Sequence, residues 1–208
     1  MVWYEEEVKR VENIKNTLQY QPKTIFYGSS SIRLWTTLYE DFKEFQPVNL
    51  GFGGSTLEAC VYFFDRIMQP YQKYNPEHMV VYAGDNDLGD GKNADQVFAS
   101  FKVLLNKVQQ CFPGMQFTYI SIKPSISRRS IIGNIRRANQ LIQEHLDTCG
   151  PGYFFIDIFD KMLDASGNPV PGLFDADGLH LSPAGYTVWK DVLLTHISLN
   201  VEGSLTRL

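Results

Sequence analysis

The chain has 208 residues, of which 44% are hydrophobic and 13% aromatic, and this predicts a single folded domain with a substantial apolar core. Basic residues number 19 against 23 acidic ones, and the resulting net charge of −4 argues against general nucleic-acid binding. A membrane span is also excluded, since no apolar run approaches the ~20 residues that a bilayer crossing needs. Three of the first seven residues are acidic, where a signal peptide would be basic and apolar, so the sequence predicts a cytoplasmic protein and leaves open secretion with a leader already removed.

Three cysteines, Cys60, Cys111 and Cys149, lie far apart and in no paired spacing. An odd number in such positions predicts free thiols and neither a disulfide framework nor a cysteine-rich zinc site.

In chain order, short apolar runs alternate with amphipathic helical patterns. The first helix is predicted over Glu5–Leu18, and later helices over 94–111, over 131–146 and from Pro183 onward, with Ser182 as the N-cap of the last. The predicted strands are Thr24–Tyr27, Pro47–Leu50, His78–Ala83, Gln116–Ile120 and Tyr153–Ile156.

This alternation predicts a three-layer α/β domain built around a parallel sheet, because strand–helix–strand units pack in that way. We place the domain at residues 1–199 and a polar tail at residues 200–208. Trp35 and the pair Phe63 and Phe64 are expected in the core or an interface. Ligands of such sheets bind beyond the carboxyl ends of the strands, near the point where the strand order reverses.

Four short segments place unusual residues at those ends. Gly28-Ser-Ser-Ser31 follows the first strand, Gly51-Phe-Gly-Gly54 the second and Gly84-Asp-Asn-Asp87 the third, while Asp177-Gly-Leu-His180 precedes the last helix. Each segment alone also fits an ordinary turn or helix cap. Together they supply a serine, an Asp–His pair and several amide donors, which are the groups that acyl transfer requires.

In this combination the chain resembles the SGNH/GDSL hydrolase superfamily, whose four blocks carry Ser, Gly, Asn and His in the same order. The resemblance runs from Ile25 to Trp189 and implies a flavodoxin-like α/β/α sandwich with five parallel strands. One departure is Ser29, which stands where the family has the Asp of its Gly-Asp-Ser block. That variant is similar to the platelet-activating-factor acetylhydrolase-like branch.

The resemblance implies a role for five residues. Ser30 would be the nucleophile, His180 the base and Asp177 its orienting acid, while the Ser30 and Gly54 N–H groups and the Asn86 side chain would form an oxyanion hole. The implied activity is hydrolysis of a small-molecule acyl ester, of short chain length, through an acyl-enzyme, with no metal and no cofactor. Oligomeric state is left open.

Other functions stay open at this point. The acidic residues near the strand ends could instead hold a metal ion in a phosphohydrolase; they are Asp85, Asp87, Asp157, Asp175 and Asp177, with His180. A non-catalytic binding module would use the same crevice, and an acyltransferase the same catalytic groups. Four arginines, Arg128, Arg129, Arg136 and Arg137, are expected to be solvated or ion-paired, although one of them could meet a substrate anion.

Overall fold

A computed structural model gives the backbone of residues 1–205 and describes the side chains of residues 1–197. Five parallel strands form one sheet in the order β2-β1-β3-β4-β5. They are β1 (Thr24–Gly28), β2 (Pro47–Gly51), β3 (His78–Tyr82), β4 (Gln116–Ile120) and β5 (Tyr153–Ile156). All five predicted strands are therefore present, and the sheet confirms the predicted α/β fold.

Eight α-helices lie in the part of the chain that the structure gives. They are α1 (Glu5–Ile14), α2 (Ser30–Arg33), α3 (Leu38–Asp41), α4 (Leu57–Met68), α5 (Asp85–Gly89), α6 (Ala94–Cys111), α7 (Ile132–Thr148) and α8 (Pro183–Leu205). None of those helices within the described residues has the length and apolarity that a bilayer crossing requires.

Alternate residues of the strands face two separate cores, which produces the three layers. Ile25 and Tyr27 of β1 point into a core formed with α1, α4, α6 and α7. Phe26, between them, points into the opposite core, where it meets Trp35 and Trp189 beneath α2, α3 and α8. Such strands read as continuous apolar runs because helices cover both faces of the sheet.

The predicted helix ends need three changes. Helix α1 stops at Ile14 and not at Leu18, because the chain tightens there into hydrogen bonds from Asn16 N and Thr17 N to carbonyls three residues earlier. Helix α7 begins at Ile132 after a 3-10 turn (126–131) and continues to Thr148. Helices α3, α4 and α5 were not predicted.

Other local predictions are confirmed. Asn93 caps α6, accepting from Gln96 N at 2.9 Å while the Gln96 side chain accepts from Asn93 N. Ser182 caps α8 through a bond from Gly185 N. Trp35, Phe63 and Phe64 are buried, and the three cysteines are free. The predicted tail, residues 200–208, lies outside the residues whose side chains are described.

Candidate active site

Ser30 begins helix α2 directly after strand β1, on a turn that needs glycine. Gly28 has a φ of 136°, and a Cβ placed on it would lie 1.9 Å from the main-chain oxygen of Tyr82 in the neighbouring strand. Only glycine allows so close an approach of the two backbones. Ser29 N donates to that same Tyr82 oxygen at 2.9 Å. The turn therefore fixes Ser30 at the carboxyl edge of the sheet, next to the end of β3.

Three of the predicted site residues form one chain of hydrogen bonds. His180 Nε2 lies 3.0 Å from Ser30 Oγ, and His180 Nδ1 lies 2.5 Å from Asp177 Oδ2. The His180 side chain is 27% exposed, so the imidazole is open to a ligand on one side. This is the geometry in which a carboxylate orients an imidazole and the imidazole accepts a proton from a hydroxyl.

The Asp177–His180 loop is shaped by its own carboxylate. Asp177 Oδ1 accepts from Leu179 N and His180 N, each at 2.9 Å. Partial burial acts to raise the pKa of Asp177, but the two N–H groups and the His180 ring outweigh it and lower that pKa to about 2. Asp175 contributes its main chain, since Asp175 N donates to the His180 oxygen at 2.9 Å.

Asn86 and Gly54 lie on the two neighbouring loops. Asn86, in the first turn of α5, donates through Nδ2 to the main-chain oxygen of Ser55 at 3.0 Å. The Ser55 hydroxyl in turn donates to the Gly28 oxygen at 3.0 Å. Gly54 has a φ of 65°, a conformation that favours glycine. The loops after β1, β2 and β3 are thus hydrogen-bonded to one another along a single edge of the sheet.

Two further acidic candidates, Asp87 and Asp157, are each bound by protein partners in different places. Asp87 accepts from Leu57 N at 2.7 Å and pairs with Lys92 at 3.2 Å. Asp157 accepts from Ser121 Oγ and Phe159 N. Among the described residues, no group of three or more His, Cys, Asp or Glu side chains is placed to hold a metal ion.

Of the four arginines, three lie away from the loops that carry Ser30 and Asn86. Arg129 donates to Asn168, Arg136 pairs with Asp160 at 3.6 Å and Arg137 donates to Gln140. Arg128 differs, because its guanidinium packs against Gly89 of α5 and its Nε lies 3.7 Å from Asp85 Oδ1.

Two residues at this edge were missed from the sequence. The Trp3 ring, with the residue as a whole 67% exposed, rests against Gly54, and Lys123 is buried beneath Ser31 and Asp85. A lysine three residues past an apolar strand at the ligand-binding edge was a usable signal. Trp3 lies far from every block in the sequence and had no such signal.

Comparison with known proteins agrees with this fold. A Streptococcus pneumonia protein described as a candidate platelet activating factor has a TM-score of 0.78 at 20% identity, covering 94% of each chain. A GDSL-like lipase from Bacteroides thetaiotaomicron has a TM-score of 0.75 at 19% identity, covering 93% of this chain and 98% of its own. The acetyl xylan esterase AlAXEase has a TM-score of 0.69 at 19% identity, covering 84% and 98%. These likenesses concern the fold.

No curated protein matches the sequence. The sequence profile of the GDSL-like lipase/acylhydrolase family matches residues 24–188, a range that includes all five strands and all four sequence blocks. The chain therefore belongs to the GDSL-like lipase/acylhydrolase family and is a hydrolase that acts on ester bonds.

Proposed function

We propose that this hydrolase cleaves short-chain carboxylic esters through an acyl-enzyme on Ser30. The observation that supports the proposal most is the continuous hydrogen-bond chain from Asp177 through His180 to Ser30 Oγ. His180 takes the hydroxyl proton as Ser30 Oγ attacks the ester carbonyl carbon. Asp177 holds the ring through Nδ1 and stabilises the imidazolium that forms.

The tetrahedral intermediate carries a negative oxygen, which needs donors that are already in place. In this mechanism the N–H groups of Ser30 and Gly54 and the side chain of Asn86 supply them. The Ser30 N–H is available because the first N–H groups of a helix have no intrahelical acceptor. When the intermediate collapses, the alcohol leaves with the proton from His180. A water molecule, deprotonated by His180, then releases the acid from Ser30.

Short acyl chains are favoured by what lies beneath the nucleophile. Ser31 is 1% exposed, and below it lie Lys123, Tyr82 and Asp85, all buried and hydrogen-bonded to one another. An apolar acyl chain entering this space would break those bonds, and each buried polar group left unpaired costs about 1–3 kcal/mol. The acetyl xylan esterase activity named for one structural relative is compatible with this preference.

A panel of nitrophenyl esters of graded acyl length, combined with a fluorophosphonate probe, tests the proposal. We expect the fastest turnover with acetate and stoichiometric labelling of the native protein. Ser30→Ala should lose labelling and about 10⁶ in kcat, as a covalent serine nucleophile does in the well-studied case. Ser29→Ala is the matched control and should keep both. Labelling of Ser30→Ala to the same extent as the native protein would refute the assignment.

The metallohydrolase alternative predicts a different result in the same assay. Exhaustive chelation should leave nitrophenyl acetate hydrolysis intact if Ser30 and His180 carry the reaction. Activity that is lost on chelation and restored by a divalent ion would favour the metal-dependent mechanism.

A further inference from the structure

Lys123 is a buried ammonium that directly underlies the site. It follows β4, its side chain is 1% exposed, and its Nζ uses its three donors on three acceptors. These are Asp85 Oδ2 at 2.7 Å, the Tyr82 hydroxyl at 3.0 Å and Ser31 Oγ at 3.3 Å. Burial, together with the Asp85 carboxylate, raises the pKa of Tyr82 well above its usual value, so its hydroxyl keeps the proton.

The partners of Lys123 are adjacent in sequence to the two groups that must act together. Ser31 follows Ser30 directly, and Asp85 directly precedes Asn86. Strands β1 and β3 are neighbours, joined at the Gly28 turn by the bond from Ser29 N to the Tyr82 oxygen, and Asn86 reaches that turn indirectly, through Ser55 of the loop after β2. The Lys123 ammonium therefore connects the segment that carries Ser30 to the segment that carries Asn86.

A gain in folding stability alone does not account for the buried ion pair of Lys123 and Asp85. Replacing a buried ion pair by apolar groups of similar size is often neutral or stabilising, whereas removing only one partner is strongly destabilising. Arg128, whose Nε lies 3.7 Å from Asp85 Oδ1, adds a second cation to the same carboxylate. The cluster of Lys123, Asp85 and Arg128 thus holds one anion and two cations.

We propose that Lys123 is a positioning residue, which sets the distance between Ser30 and Asn86 by holding Ser31 and Asp85 on one ammonium. The inference rests on the proposed function, because it assigns Ser30 and Asn86 to one transition state. A displacement of about 1 Å in such a site can cost about 10²-fold in rate. Lys123 should therefore affect kcat and leave KM nearly unchanged, since it touches no substrate.

The test compares Lys123→Met with the double variant Lys123→Met/Asp85→Asn, using nitrophenyl acetate. Lys123→Met leaves the Asp85 carboxylate buried without its closest partner, so we expect a lower Tm together with a loss of about 10- to 100-fold in kcat. The double variant removes both charges and should recover much of the Tm. If Lys123 positions the site, kcat stays at least about tenfold low in that double variant while KM stays within about twofold.

Thr118→Val is the control for a general loss of stability. Thr118 is buried on β4, the strand that leads to Lys123, and bonds His78 at the opposite end of the sheet. This variant should lower the Tm without changing kcat.

Recovery of kcat together with the Tm in the double variant would overturn the proposal, as would a change confined to KM. Should Lys123→Met fail to fold, the double variant decides alone. A failure of the proposed function is separable from these results: the native protein would then fail to hydrolyse the ester or to react with the fluorophosphonate at Ser30.

Discussion

Asn86 donates through Nδ2 to the main-chain oxygen of Ser55 at 3.0 Å, which ties the loop after β3 to the loop after β2. A side-chain amide has two N–H groups, so this bond fixes the plane of the amide and leaves the second N–H for a ligand. A donor that is held in place before the reaction loses little in reorganisation when the oxyanion forms. The bond to Ser55 is therefore the structural basis for assigning Asn86 to the oxyanion hole.

Asn86→Ala should lower kcat by roughly 10²–10³ and leave KM little changed, since the lost interaction exists mainly in the transition state. Steady-state kinetics on nitrophenyl acetate measure both constants. Asn93→Ala is the control, because it removes the side-chain cap of α6 and should cost about 1 kcal/mol of stability without a change in kcat. An Asn86→Ala variant that loses only affinity would mean that the amide merely binds substrate.

Asp177 and Asp175 lie in the same loop but contact His180 differently. Asp177 reaches the ring nitrogen, whereas Asp175 meets only the main chain of His180. Asp177→Asn should lower kcat by about 10⁴, the effect that follows when an amide selects the wrong imidazole tautomer. Asp175→Asn should change kcat by less than about tenfold. Rate measurements on both variants decide the assignment, and a near-silent Asp177→Asn beside an inactive Asp175→Asn would reverse it.

Gly54 combines a positive φ with a tight contact. A Cβ at this position would lie 2.7 Å from the Trp3 ring, and a φ of 65° strains any other residue by about 1–3 kcal/mol. Gly54→Ala should therefore shift the proposed donor and lower kcat by at least about tenfold, up to the roughly 10²–10³ that follows the loss of one donor. Adding Trp3→Ala removes the clash but not the backbone strain, so recovery should be partial.

Gly53→Ala provides the matched control for Gly54→Ala. Its φ is not positive, and its new Cβ would meet the ends of two side chains, Glu7 at 3.4 Å and Arg33 at 3.7 Å. If kcat and the Tm of the Gly53 and Gly54 variants are alike, the special geometry of Gly54 has no bearing on catalysis.

Strands and site blocks could be predicted from the sequence because their signals are local. Buried parallel strands are continuous apolar runs, and the serine and amide segments follow them within a few residues, while the Asp–His segment directly precedes the last helix. The Asp177–His180 spacing alone nearly determines their contact, since the carboxylate caps the two N–H groups that follow it. The junction of Ser30 with His180, 150 residues later, needed the resemblance to a family.

The missed features depend on contacts between distant segments. The ammonium of Lys123 is surrounded by residues from two other segments of the chain: Ser31 of α2, and Tyr82 and Asp85 at the end of β3 and the start of α5. Its position three residues past β4 marks it as a candidate, but the residues around it in the sequence do not predict its burial. The end of α1 was misplaced for a different reason: Leu18 continues the apolar spacing and contacts the core, although the helix has already ended.

His78 gives a prediction about stability that is separate from catalysis. It lies on β3 at 5% exposure, with Nε2 2.7 Å from Thr118 Oγ, and His196 of α8 approaches the same hydroxyl at 3.3 Å. Burial, with a smaller contribution from His196, lowers the pKa of His78 to about 3. The ordinary value in an unfolded chain is about 6.5. At pH values between about 3 and about 6.5, His78 therefore binds a proton in the unfolded chain but not in the folded chain.

The free energy of unfolding should therefore fall as the pH drops below about 6.5, by about 1.4 kcal/mol per pH unit from this residue, or about 2 kcal/mol between pH 7 and pH 5. His78→Gln, which can still bond Thr118 but does not titrate, should remove that part of the slope. Urea unfolding of both proteins at pH 7, 6 and 5 measures the difference. Thr118→Val keeps the buried imidazole and should lower stability while retaining the slope. Equal slopes for the native protein and His78→Gln would show that His78 does not carry the acid sensitivity.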